Sequence, residues 1–278
     1  MRLYIEHQTQ YVYSEIVTYT IQQLRLTPQS GMGQHVHHWD IKVQGQLHQY
    51  EDAFGNISHT LVIDQPHNEL YILVAGEVET GVDFVNQQQS LPIPIYLRDT
   101  ELTQADRAIK DFASVYKDKP IEDLMYAVSG KIANVKGATK VETTAAQAFE
   151  LAQGVCQDYV HVFIASCRSI GLPARYVSGY LFTEDGSLMQ THAWADVWID
   201  EAWKSVDVSN GCMTDQMYVR LAIGLDYRNA SPVSGMRVGG GVEGHATSVI
   251  VNKYGNNMEK HQKVPHEVLL SQALQAQQ

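Results

Sequence analysis

The hydrophobic period of this chain changes partway along, and that change limits the folds open to it more than any other feature. Up to about Val85 the apolar residues fall in short β-branched and aromatic runs, Tyr11-Val12-Tyr13, Trp39-Asp40-Ile41-Lys42-Val43 and His59-Thr60-Leu61-Val62-Ile63, which suit a pleated, half-buried surface. Pro28, Gly31, Gly33, Gly45, Asp52 and Gly55-Asn56 punctuate them as turn formers. Residues 1–88 are therefore expected to form an antiparallel β-sandwich. Beyond the polar stretch Asn86-Gln87-Gln88-Gln89-Ser90, with Pro92 and Pro94, the period becomes three and four at Leu102, Ala105, Ile109, Phe112 and Ala113, one face of a helix. That stretch is the expected boundary of a second domain, 95–256, with its own core, followed by a polar, glutamine-rich tail at 257–278.

Within the second domain the pattern predicts helices over 121–132 and from the capping pair Thr143-Thr144 towards Gln153. After Gly154 another helix starts near Cys156 and stops at Gly171, with Pro173 just beyond as a residue that cannot continue it. Strands are expected at 174–181, 191–199 and 202–208, the last two facing each other across Asp200-Glu201. A further strand around 247–252 is expected to close that same sheet. The fold class is thus α+β.

Composition excludes several functions. With 44% hydrophobic and 18% charged residues the bulk of the chain can offset the entropy of folding. A net charge of -11 without a Lys/Arg run repels phosphate backbones, so no nucleic-acid partner is expected. No segment approaches membrane-spanning length, and Met1-Arg2-Leu3-Tyr4-Ile5-Glu6-His7 breaks its apolar character at once, unlike a secretion signal. Three cysteines, an odd number, do not read as a disulfide framework, so a reducing cytoplasm is the expected setting.

The chemistry is expected at Cys156. It follows a glycine-valine pair at a helix start, where unpaired N–H groups and the helix dipole favour a negative sulfur, the nucleophilic form of cysteine. Cys167 and Cys212 are read as ordinary apolar residues. A nucleophilic thiol needs a base, and the base needs a third group to orient it and stabilise its cation. If Asp200-Glu201 is a two-residue turn, Ile199 faces Ala202 and Asp207 faces Trp194, so Asp207 lies on the face of His192 and diagonal to it. One residue more in the loop would move the carboxylate to the other face.

Gly154-Val155-Cys156-Gln157-Asp158-Tyr159, Thr191-His192-Ala193-Trp194 and Val206-Asp207 resemble, in order and spacing, the three signature blocks of the bacterial transglutaminase-like superfamily. Gly171-Leu172-Pro173-Ala174-Arg175-Tyr176-Val177-Ser178-Gly179-Tyr180 and Asp226-Tyr227 with Pro232-Val233 extend the likeness. Leu26-Thr27-Pro28 and Asp52-Ala53-Phe54-Gly55-Asn56 are similar to the N-terminal region that such bacterial proteins carry. The resemblance implies a papain-like catalytic domain behind a β-sandwich, with Cys156 as nucleophile, His192 as base and then acid, and Asp207 as orienting carboxylate.

The substrate is then expected to be a peptide, a protein or a small amide, and no cofactor is called for. Trp194 is a candidate wall of the substrate groove, and Gln153 or Gln157 a candidate oxyanion donor beside the Cys156 N–H. Asp158 is read as a capping carboxylate. His35, His37 and His38 alternate faces on a strand with no completing ligands, so no metal site is expected.

Overall fold

The first strand, β1 (Arg2–Leu24), organises the amino-terminal half. It is followed by β2 (Gln34–Val43), β3 (Gln46–Glu51), β4 (Ile57–Ile63) and β5 (His67–Thr80). The computed structural model describes residues 1–83, 91–183, 191–253 and 264–275. Most of the boundary expected at 86–94 therefore lies outside the described residues. β1 has different neighbours along its two halves, β5 from Arg2 to Val12 and β4 from Thr20 to Leu24, with the register breaking between Val12 and Val17. Serving two neighbours this way curls the antiparallel sheet until it is nearly barrel-like, with Leu3, Ile5, Leu70, Ile72 and Val74 on its buried face.

The second half, where the sequence places the candidate catalytic residues, begins with α1 (Arg107–Ser114) and α2 (Ile121–Lys131), then β6 (Ala133–Asn134), α3 (Ala145–Leu151), β7 (Gln153–Gly154) and α4 (Cys156–Ser169). The Thr144 hydroxyl accepts from the Gln147 N–H while the Gln147 side chain accepts from the Thr144 N–H, at 3.3 and 2.9 Å, which closes the start of α3 as the sequence suggests. Next come β8 (Ala174–Leu181), β9 (His192–Ile199), β10 (Ala202–Asp207), β11 (Cys212–Met213) and β12 (Tyr218–Gly224), in the sheet order β11-β10-β9-β8-β12. Helix α4 packs on one face of this sheet, where Val160, Phe163, Ile164, Tyr176, Ala195 and Val206 share a core. Tyr180, Phe182, Val219 and Leu221 belong instead to the core of the first sheet, so the two sheets are joined by apolar contact.

After α5 (Tyr227–Ala230) the chain leaves the catalytic sheet. β13 (Val233–Gly239) and β14 (Glu243–Lys253) run antiparallel to β1 along nearly its whole length, from Leu24↔Val233 to Leu3↔Lys253. The strand expected near 247–252 thus exists but closes the first sheet, not the catalytic one; its alternating pattern fits either, and the open edge of β1 takes it. α6 (His266–Gln275) then covers β14 through the buried Leu269.

Because β1 is held by strands from both ends of the chain, a cut engineered within 86–94 should leave a nicked protein that elutes as one species on size exclusion and separates only in denaturant. Elution of two separate folded pieces would contradict this.

Candidate active site

A thiol, an imidazole and a carboxylate meet at one end of the catalytic sheet. Cys156 is the first residue of α4, so its sulfur sits at the positive end of the helix dipole. Asp158, buried at 1% exposure, accepts at Oδ2 from the Val155 N–H (2.8 Å) and the Thr139 hydroxyl (2.7 Å), in keeping with its reading as a cap. Residue 154 must be glycine here, since a Cβ would come within 2.5–2.7 Å of the Asp158 side chain.

His192 opens β9 and Asp207 ends β10, and the turn between the strands sets their relation. Asp200 and Glu201 both have positive φ, 54° and 60°, the primed geometry that lets two residues close a hairpin. Ile199 pairs with Ala202 and Ala195 with Val206, as counting predicts. Nε2 of His192 lies 2.6 Å from Oδ2 of Asp207, and the imidazole shares its cleft with Cys156. Burial by itself would lower the pKa of His192; the Asp207 hydrogen bond, and then the proximity of Cys156, outweigh it and push it up to about 10. For Asp207, burial opposes ionisation, but the His192, Tyr218 and Ser209 bonds prevail and hold it below the ordinary carboxylate range.

Asp207 has more partners than the sequence suggested. Its Oδ1 accepts from the Ser209 hydroxyl (2.8 Å) and the Asn210 N–H (3.1 Å), and its Oδ2 from the Asn210 amide (2.7 Å) and the Tyr218 hydroxyl (2.8 Å). The available signal for the first two was Ser209-Asn210-Gly211 directly after the aspartate, short polar residues that fold back on a preceding carboxylate. Tyr218 had no local signal.

Cys156 and His192 face a cleft of about 420 Å³, which Asn134, Lys136, Leu181, Thr183, Thr191, Ser209 and Asn210 also line. Trp194, a candidate groove wall, is not part of it: the side chain is 1% exposed and lies against His192, ring centroids 6.4 Å apart, so it supports the histidine from below. Neither glutamine lines the cleft. Gln157, one position along the helix, is turned away and gives its amide to the Val141 carbonyl at 3.0 Å, while Gln153 alternates outward from the buried Gly154. Two other carboxamides do line the cleft, Asn210, whose amide is given to Asp207, and Asn134, on β6, whose parallel pairing with β7 sets it opposite Gly154.

Among the described residues no group of three His, Cys, Asp or Glu side chains could hold a metal ion, and no helix is long and apolar enough to cross a membrane. His37 and His38 are instead each 3.0 Å from a carboxylate, Glu79 and Asp40.

A helix-borne cysteine facing a histidine from an antiparallel sheet defines a papain-like α+β fold, and comparison with known proteins narrows it. Residues 107–208 match the Transglutaminase-like superfamily and residues 3–79 the bacterial transglutaminase-like N-terminal region; the chain belongs to this superfamily. An uncharacterized protein of Mycobacterium leprae (strain TN) is 28% identical over 273 residues, covering 86% of this chain and 94% of its own. An uncharacterized protein of Mycobacterium tuberculosis (strain ATCC 25618 / H37Rv) is 26% identical, with coverages of 84% and 87%. Among solved structures, a proposed cysteine protease from Cytophaga hutchinsonii superposes with a TM-score of 0.76 at 18% identity, over 95% of this chain and 94% of its own. At that identity the likeness bears on the fold alone.

Proposed function

We propose that this protein is a thiol-dependent amide-bond enzyme, a peptidase or amidase before an acyltransferase, working through Cys156, His192 and Asp207. The observation that carries the reading is the Asp207–His192 hydrogen bond at the edge of an open cleft that Cys156 also lines, with the sulfur at a helix N-terminus. An imidazole with a pKa near 10 keeps its proton at neutral pH, ready to be given to a leaving group. The thiolate attacks the amide carbonyl, the Cys156 N–H and the Asn134 carboxamide stabilise the oxyanion, and His192 protonates the leaving amine. The acyl-enzyme then passes its acyl group to water or to a second amine. Water is present at far higher concentration than any amine, which favours hydrolysis. The lining mixes apolar surface with the polar groups of Asn134, Lys136, Thr183 and Thr191, which suits a peptide or a small amide. Three free thiols suit a reducing, cytoplasmic setting.

A library of peptides bearing thiol-reactive electrophiles tests this reading and surveys specificity together. Cys156 should be modified well before Cys167, whose thiol is buried and pushed up in pKa by that burial, and before the half-buried Cys212. Peptide mapping after limited reaction reads the order; equal labelling of all three, or labelling of Cys156 last, would sink the proposal and favour a silent scaffold on the same fold. Incorporation of an added primary amine into product would instead favour transfer.

A further inference from the structure

We propose that Tyr218 is a positioning residue that sets the basicity of the Asp207–His192 pair, and that the amino-terminal sheet holds it in place by gripping the edge of β12. This rests on the thiol-enzyme reading above, but on observations of its own.

Tyr218 donates its hydroxyl to Oδ2 of Asp207 at 2.8 Å, the same oxygen that faces Nε2 of His192 at 2.6 Å. Its ring stands edge-on to Trp194, centroids 5.4 Å apart, and 6.2 Å from that of His192, so its hydroxyl has little freedom to swing away. Burial, and then the charge of Asp207, raise the pKa of the phenol, which therefore remains a donor throughout the working range. A donor on a carboxylate oxygen draws charge away from it and makes it a weaker base. The attraction that keeps the proton on His192 is correspondingly reduced.

Tyr218 is the first residue of β12, an outer strand of the catalytic sheet, and the outer side of that strand is occupied by two carboxamides of the amino-terminal sheet. Gln34 donates to the Arg220 carbonyl (3.0 Å) and accepts from the Arg220 N–H (2.8 Å). Asn56 does the same to Ile223, at 2.8 Å each way. A primary amide that donates and accepts side by side imitates the neighbouring strand that β12 lacks on this side. Both amides are buried, and Asn56 is itself held by Asp52. The Thr80 hydroxyl bonds the Gln216 carbonyl just before β12. The first domain thus reaches the active site through three residues of its own and one tyrosine.

The test is the titration of His192, followed by NMR in protein with labelled histidine and assigned with a His192→Gln control. Tyr218→Phe keeps the ring contacts and removes the hydroxyl, with its bond to Asp207 and its 3.5 Å contact to the Cys212 sulfur; His192 should then titrate at higher pH, and kcat should fall roughly tenfold with little change in KM, because the imidazolium has become a poorer acid. Replacing tyrosine with 3-fluorotyrosine, a stronger donor, should move the titration the other way, which keeps the idea testable if the phenylalanine variant is unstable. Gln34→Met, remote from the cleft, should shift His192 in the same direction as Tyr218→Phe, to a smaller extent. An unmoved His192 titration in Tyr218→Phe overturns the role of the tyrosine, and a Gln34→Met protein that loses only thermal stability overturns that of the amino-terminal sheet. Because the titration needs no substrate, it still gives an answer if Cys156 proves unreactive and the enzyme reading itself fails.

Discussion

Cys156→Ala should abolish covalent turnover and all labelling by peptide electrophiles, while circular dichroism and thermal unfolding stay near those of the parent. The side chain is only half-buried, at a helix start whose cap is Asp158, so truncating it leaves no large cavity and no unpaired group. Asp207→Asn should be less complete. It leaves a histidine in the wrong tautomer, and serine-protease precedent sets the loss on the order of 10⁴ in kcat, though a thiol, being more readily ionised than a hydroxyl, can depend on the carboxylate less. The structure adds a cost in stability, because an amide nitrogen would face the donors Tyr218, Asn210 or Ser209. Combined with His192→Ala, Asp207→Asn should cost little beyond His192→Ala alone, as expected of groups that act as a unit. Full activity without the thiol would end the mechanism, and multiplicative losses in the double variant would place Asp207 outside it.

The largest effect on stability is expected at Asp196, on β9 beneath the site. This carboxylate is 0% exposed and lies between two arginines, Nε of Arg175 at 2.8 Å and the guanidinium of Arg220 at 2.7 and 3.0 Å, with the Ser205 hydroxyl at 2.6 Å. Arg175 is itself buried against Trp203, 4.0 Å from ring centroid to guanidinium carbon. Removing the carboxylate would leave two like charges side by side with little water, so Asp196→Ala should lower the unfolding free energy by about 3–5 kcal/mol.

The pH dependence has a definite sign. Burial opposes ionisation of Asp196, yet Arg220 and Arg175 outweigh it and hold the pKa at about 2, below the roughly 3.9 of an unfolded chain. The ionised carboxylate therefore stabilises the fold above about pH 4, and the contribution is lost as pH falls towards 2. Denaturant titrations from pH 7 downward should show a shallower acid limb in the variant. A difference under about 1 kcal/mol at neutral pH would mean that the two arginines find other partners or water.

How much of this could be read beforehand follows the range of the interactions involved. The meeting of His192 and Asp207 was legible because it depends on a two-residue turn and the parity of two strands, all within sixteen residues of chain, 192–207. The start of α4 was legible for the same reason, since caps and glycines act over three or four positions. Whether Trp194 belonged to groove or core stayed open in the sequence, because alternation says which residues share a face, not what lies over that face; the structure buries it. The pairing of β14 with β1 depends on an open edge some 250 residues away in sequence, about which a strand's own pattern carries no information. Asn134 and Tyr218 reach the site from elements whose local sequences have no reason to contain them.

The closure of β1 by β13 and β14 also sets a timetable for making the protein. A chain synthesised from its amino terminus exposes the unsatisfied edge of β1 until residues 233–253 have emerged, because Leu3 waits for Lys253 and Leu24 for Val233. During that interval the longest strand of the protein presents a bare row of N–H and C=O groups to anything nearby. Pairing across so many intervening residues closes slowly, and the open edge favours aggregation until residues 233–253 dock on it.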